Sequence, residues 1–271
     1  MSGVADPLYI RARAALLDAA EALYAHRDAL VLVGAQAIYL HTGDADLGVP
    51  EYTTDADFTV APADLADAPL LADLLSARGF TPREHPGSWL SPDGIYLDIM
   101  VPERLAGPGT RGARLGSHGK RAARRAKGLE GALIDRERLT ISALDPDDDR
   151  TVELWVAGPA ALLVAKVHKI AERVDNQDRV RDKDALDVLR LLRSITTADL
   201  TDRLAVLRRD DLSSAVTNEA VGLLPDLFGT TESAGVAMAV RAAGPGADPA
   251  TIAGSIIALV EDLLDMLDPA T

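Results

Sequence analysis

The chain has 271 residues, is 48% hydrophobic and 26% charged, has no cysteine, and carries a formal net charge of −14 with a pI near 4.7. This is enough apolar material for a sizeable core and two domains, and the missing thiols exclude disulfides, Cys-ligated zinc, iron–sulfur clusters and a thiol nucleophile. Met1 to Ile10 lacks a basic stretch followed by an apolar one, and no apolar run approaches membrane-spanning length, so a cytoplasmic protein without a membrane partner is expected.

Leu8 to Tyr24 reads as an amphipathic helix. Ala29 to Val33 is a short continuous apolar run of the buried-strand kind; it ends at Gly34-Ala35-Gln36 and leads into a helix over Ala37 to His41. Gly43 to Glu51 is expected to be a loop, and a strand follows at Asp55-Ala56-Asp57-Phe58-Thr59-Val60. Periodicity predicts a helix over Ala63 to Ala77, stopped by Gly79. Phe80 to Leu90 and Ile95 to Val101 read as strands separated by the turn Ser91-Pro92-Asp93-Gly94. The glycine-broken stretch Arg104 to Lys127 is expected to be a mobile loop with a short helix near Lys120 to Ala126. Three short strands are predicted after it: Gly131 to Ile134, Leu139 to Ala143 and Thr151 to Val156. From Gly158-Pro159 the pattern is helical, over 160–173, 179–193, 197–208, 213–227, 233–242 and 248–267. The expected fold is α/β (α+β): a mixed sheet with flanking helices in residues 1–157, then an all-helical domain in 158–271.

The most informative feature is Asp55-x-Asp57. Strand side chains alternate faces, so two carboxylates at i and i+2 point the same way and can hold a divalent metal. Taken alone, the pair is also what a hydrogen-bonded loop end or a helix cap looks like. Asp98, in the middle of the apolar strand Ile95 to Val101, favours the first reading, because a buried carboxylate needs a partner. A cation shared with Asp55 and Asp57 would supply one.

The acidic average hides one basic segment. Arg104 to Lys127 contains Arg104, Arg111, Arg114, Lys120, Arg121, Arg124, Arg125 and Lys127 and no acidic residue. It is either a solvated loop or a surface for a polyanion. Lys166, Lys169 and Arg173 share one face of their helix, and Asp184 and Asp187 lie one turn apart on the next. They form a structural salt-bridge ladder, or a lysine that an aspartate orients toward the site. Other motifs fail: Asp145-Pro146-Asp147-Asp148-Asp149 has Arg150 and Val156 where a calcium loop needs Gly and Glu. Gly119-Lys120 lacks the earlier glycine and the Ser or Thr of a P-loop. The five histidines show no zinc spacing, and no serine sits in a nucleophile elbow.

Gly34-Ala35 after a strand, Asp55-x-Asp57, Asp98, Lys166 with Arg173, and Lys183-Asp184-x-x-Asp187 together resemble the polymerase-beta-type nucleotidyltransferase superfamily. Within it the order is most similar to the AbiEii-like toxins of type IV toxin–antitoxin and abortive-infection systems, over roughly Leu30 to Leu192. Ala35 stands where that family has Gly or Ser, and the spacer before Asp55 is longer. The resemblance implies an enzyme that transfers a nucleotide from a nucleoside triphosphate, with two magnesium ions, or manganese, on Asp55, Asp57 and Asp98. Asp55 and Asp57 would bridge the ions, and Asp98 would complete one of them and accept the nucleophile's proton. Gly34, Ala35, Gln36 and Lys166, with Asp184 behind the lysine, would hold the nucleotide; backbone and amide donors would meet its phosphates. The acceptor would be RNA, by resemblance the 3′ end of tRNA, held by Arg114, Lys120, Arg121, Arg124 and Arg125, and the partner an antitoxin. A small-molecule or protein hydroxyl as acceptor, and a catalytically silent binding module, are the alternatives.

Overall fold

The computed structural model describes residues 6–43, 53–174 and 182–268. Helix α1 (Pro7–Ala22) starts with Pro in its first turn and Asp6 as cap, whose carboxylate accepts from the Leu8 N–H at 2.8 Å. Strand β1 (Leu30–Val33) is wholly buried. It lies between the antiparallel β2 (Asp55–Val60) and the parallel β8 (Thr151–Ala157), so the unbroken apolar run belongs to a central strand covered on both faces. Helix α2 (Gly34–Thr42) begins directly after β1, with Gly34 at φ +76°, a conformation that only glycine adopts cheaply.

The remaining strands are β3 (Thr81–Pro82), β4 (Ser88–Leu90), β5 (Tyr96–Pro102), β6 (Arg124–Ala126) and β7 (Arg136–Ser142). Among the described residues these strands join β1, β2 and β8 in one mixed eight-stranded sheet in the order β3-β4-β5-β2-β1-β8-β7, with β6 also paired to β5. The mixed α/β architecture expected from the sequence is the one found.

Four local expectations change. The helix expected over Ala63 to Ala77 is only α3 (Leu71–Ala77), because Pro69 cannot join a helix interior and the extended Leu70 precedes the first turn. The strand expected over Phe80 to Leu90 is broken between β3 and β4, where Pro86-Gly87 interrupts it. Gly131 to Ile134 is no strand: Glu130–Leu133 is a 3-10 turn, fixed by buried Glu130, which accepts from the Gly128 and Arg104 N–H groups. Lys120 to Ala126 is no helix either. Its last three residues pair in parallel with Met100, Val101 and Pro102 as β6, since the edge of β5 beyond β4 offers backbone partners that outweigh a weak helical preference.

The second half is helical: α4 (Pro159–Val174), α5 (Lys183–Ser194), α6 (Thr197–Arg209), α7 (Ser214–Phe228), α8 (Ala234–Ala243) and α9 (Pro249–Leu267). The Gly43 to Glu51 loop and the expected start of α5 at Arg179 lie outside the described residues, apart from Gly43 itself. One continuous cluster of buried side chains runs from Leu16 through Leu32 and Phe58 to Leu162, Leu189 and Ile256. Helices α4 and α5 thereby reach α2 and the end of the sheet where β1 gives way to α2.

Candidate active site

Strands β2 and β5 run parallel with Asp57 opposite Asp98 and Asp55 opposite Tyr96, while Val33 at the end of β1 faces Asp57. By the alternation of strand side chains, Asp55, Asp57 and Asp98 share one face of the sheet. The turn from β1 into α2 closes on them. A β-carbon at Gly34 would stand 2.2 Å from Asp57 Oδ2, so the carboxylate occupies the space that a side chain would fill. Asp55 accepts from the Thr53 hydroxyl at 2.5 Å.

The fold disfavours the charged form of Asp57. Burial, and next the Asp55 carboxylate, push its carboxyl up to about 7; Asp98 adds to the rise, and Lys169 and Arg124 oppose it. Asp98 has a protein partner. Both Nε and a terminal nitrogen of Arg124 donate to its Oδ2, at 3.3 and 3.2 Å.

Gln36 has a different task from the one expected. It is buried, and its amide donates to the Ala12 carbonyl and to the Asp55 carbonyl, both at 3.0 Å, while its oxygen accepts from Arg13 Nε at 2.9 Å. Its side chain therefore anchors the Asp55 backbone and has no amide hydrogen left for a phosphate. The backbone N–H groups at the start of α2 have no intrahelical acceptor, and no side chain caps them. Ala35, in that first turn, is largely buried. Buried Arg13 completes the anchor by donating to Ser142 O and to the Tyr9 hydroxyl; nothing in the sequence of α1 marks it out except a charge on an apolar face.

Lys166 is likewise committed. It is 5% exposed, and its Nζ donates to Asp184 Oδ1 at 2.7 Å and Asp187 Oδ2 at 2.6 Å. Burial alone would lower its pKa, but the two carboxylates outweigh burial and hold it above the ordinary range. Burial would raise Asp184, yet Lys166, Lys169 and Arg173 hold it below the carboxylate range. Lys166 and Asp184 thus form a closed ion network with Asp187 and Arg173, the arrangement anticipated for the two helices, with the lysine held inside it.

Two lysines have an electrostatic link to the Asp-x-Asp pair, Lys169 and Lys183. Lys169 lowers Asp57 and lies 3.3 Å from Asp184. Lys183 begins α5, with its Nζ 5.8 Å from the Tyr39 ring centroid on α2. Burial lowers its pKa, opposed by Asp187 and Asp55. The i, i+3 spacing from Lys166 pointed to Lys169, and the Lys-Asp start of α5 to Lys183.

The basic segment separates into distinct fates. Arg124 lies on Asp98, inside the site rather than on an acceptor surface. Arg125, next on β6, pairs with Glu103 at 3.4 Å. Arg121 donates to the carbonyls of Arg83 and Glu84, each at 3.0 Å, and Arg114 to the Pro108 carbonyl at 3.1 Å. Carbonyl partners leave those guanidinium charges unneutralised, and Lys120 is exposed beside them. Of the residues expected to act, only Arg114 lines the neighbouring hollow of about 220 Å³, with Pro62, Leu65, Asp67, Leu115, Gly116 and His118.

Among the described residues no three His, Cys, Asp or Glu side chains converge closely enough to hold a metal ion in the present arrangement. The chemistry of the donor set nevertheless fits a hard divalent cation: carboxylate oxygens only, with Asp57, pushed up by burial and then by the Asp55 carboxylate, seated in the space that glycine leaves at position 34. Asp55 and Asp57 would hold it, with Asp98 as third ligand once Arg124 moves off. No family model, curated protein or solved structure matches the chain.

Proposed function

We propose that the protein is a magnesium-dependent nucleotidyltransferase that transfers a nucleoside monophosphate from a nucleoside triphosphate to a hydroxyl of RNA. The observation that carries this reading is the juxtaposition of Asp55, Asp57 and Asp98 on one sheet face with the glycine turn and uncapped start of α2. Carboxylates beside an anion-accepting helix start make sense when a cation joins them to phosphate.

Bound divalent cation would lower the pKa of the attacking hydroxyl and neutralise charge on the phosphates. The chain's own groups supply the rest. The acceptor oxygen attacks the α-phosphorus, the bond to the pyrophosphate oxygen breaks, and the hydroxyl proton passes to Asp98. The leaving pyrophosphate faces the first amides of α2, with Lys169 and Lys183 as its cations. Gln36 and Arg13 hold the Asp55 backbone in register. Lys166 acts at one remove, by fixing Asp184 and hence Lys169.

RNA is preferred as acceptor because Arg114, Lys120 and Arg121 present uncompensated positive charge on the segment that carries Arg124 to Asp98, which repels a cationic small molecule and attracts a polyanion. Aromatic side chains for base stacking are absent from that segment, so recognition rests on charge and shape. The role as toxin of a toxin–antitoxin pair is supported by the resemblance alone. A second reading, a binding module that retains the fold without transferring nucleotide, is favoured by the guanidinium that holds Asp98.

Calorimetric titration with each nucleoside triphosphate, with and without magnesium, tests the site. Magnesium-dependent binding that Asp57→Ala abolishes is expected; binding indifferent to both magnesium and Asp57 contradicts the assignment.

A further inference from the structure

We infer that Arg124 is a resident counter-ion of the third carboxylate, which a divalent cation must displace from Asp98 before the site is complete. The inference rests on the reading of Asp55, Asp57 and Asp98 as a cation site.

The geometry is specific. Met100 and Arg124 are register partners in the parallel β5–β6 pair, so their side chains share a face with Asp98, two residues back along β5. The backbone of Arg124 has little room to shift: a β-carbon at Gly87 would lie 2.5 Å from the Arg124 nitrogen, and Gly87 and Ala113 tie to Arg121 and Ala123 through backbone hydrogen bonds. Only the side chain has freedom, and it is about one-third exposed.

Both donating nitrogens meet the same oxygen, Oδ2, at 3.2 and 3.3 Å, lengths at the long end for a charge-assisted contact. A carboxylate forked by guanidinium through both oxygens would be hard to release. One held through a single oxygen by an arginine about one-third exposed contributes a modest, displaceable interaction. Asp98 is thereby kept neutralised beside Asp57 while no cation is bound. The freed guanidinium remains within a side chain's length of Asp98, where it can meet a phosphate of the acceptor.

Binding of Mn2+ alone, followed by the paramagnetic resonance of the free ion, tests this with full-length protein. Arg124→Gln is expected to bind Mn2+ roughly three- to tenfold more tightly than wild type. Arg124→Lys, which keeps a charge there, should stay close to wild type. Arg121→Gln, which removes a nearby charge without a carboxylate partner, should leave affinity unchanged. Equal affinity of Arg124→Gln and wild type, with binding still abolished by Asp57→Asn, would overturn the counter-ion role and leave the cation site standing. A gain for Arg121→Gln equal to that for Arg124→Gln would reduce the effect to general electrostatics and overturn it too. Mn2+ affinity unaffected by Asp57→Asn would overturn the cation site itself.

Discussion

Gly34 and Asp57 occupy one space: a β-carbon on the first would lie 2.2 Å from Oδ2 of the second, and Gly34 has φ +76°. Gly34→Ala is therefore expected to cost about 1–3 kcal/mol in stability through backbone strain and steric conflict, and to lower divalent-cation affinity by moving Asp57. Urea denaturation and Mn2+ titration check both. An alanine variant as stable as wild type with unchanged affinity would show that the turn and the carboxylate are not coupled.

Asp57 makes the metal-free protein sensitive to pH. Its carboxyl rises from 3.8 in the unfolded chain to about 7 in the fold, so between these values the folded state binds more protons. The contribution of Asp57 to stability is then fully present below about 4 and is lost as pH rises through 7. Asp57→Asn removes this dependence and should raise the melting temperature at pH 8 by roughly 3 °C or more, with little effect at pH 4. Divalent-cation binding to wild type should strengthen as pH rises through about 7, the range in which Asp57 ionises. Melting curves at the two pH values in the presence of a chelator decide the first point; curves that differ equally at both would remove Asp57 as the cause.

Lys166 and its neighbours separate structural from binding roles. Lys166→Met takes from buried Asp187 its lysine partner and from Asp184 one of three cations, and about 3–5 kcal/mol of stability is expected to go with it. Lys169→Ala and Lys183→Ala should cost far less stability and instead weaken triphosphate binding. Chemical denaturation beside nucleotide titration separates the two classes. A Lys166 variant of normal stability with selectively weakened nucleotide binding would restore Lys166 as a direct ligand.

Gln36→Leu tests the anchor on Asp55. It leaves the Asp55 carbonyl and the Arg13 guanidinium short of a partner in a buried setting, at about 1–3 kcal/mol. Cation affinity should fall although Gln36 touches only the backbone of Asp55 and none of the carboxylate oxygens. An unchanged affinity at reduced stability would confine Gln36 to the fold.

The sheet and its carboxylates were legible because they rest on local signals. The apolar run Ala29 to Val33, the i, i+2 spacing of Asp55 and Asp57, and a lone Asp98 in an apolar strand each carry their meaning within a few residues. The partners of those residues were not legible, since they are set by tertiary packing. Lys166 reads as a cation on a helix face until α5 buries it between two aspartates. Gln36 sits where a phosphate-facing amide is expected until α1 brings Arg13 against it. Arg124 reads as one of a basic cluster until the open edge of β5 turns its segment into a strand and delivers it to Asp98. Periodicity also overran at Ala63 to Ala77, where Pro69 delays the helix to Leu71.

Transfer itself is the most direct measurement. Wild-type protein and Asp57→Ala, each with magnesium and α-phosphate-labelled ATP, CTP, GTP or UTP, would be incubated with total RNA and, separately, without it. Label entering RNA with wild type and absent with Asp57→Ala is the predicted result. Label in neither RNA nor the protein, under conditions where magnesium and triphosphate are bound, would contradict nucleotidyl transfer to RNA and favour a binding module.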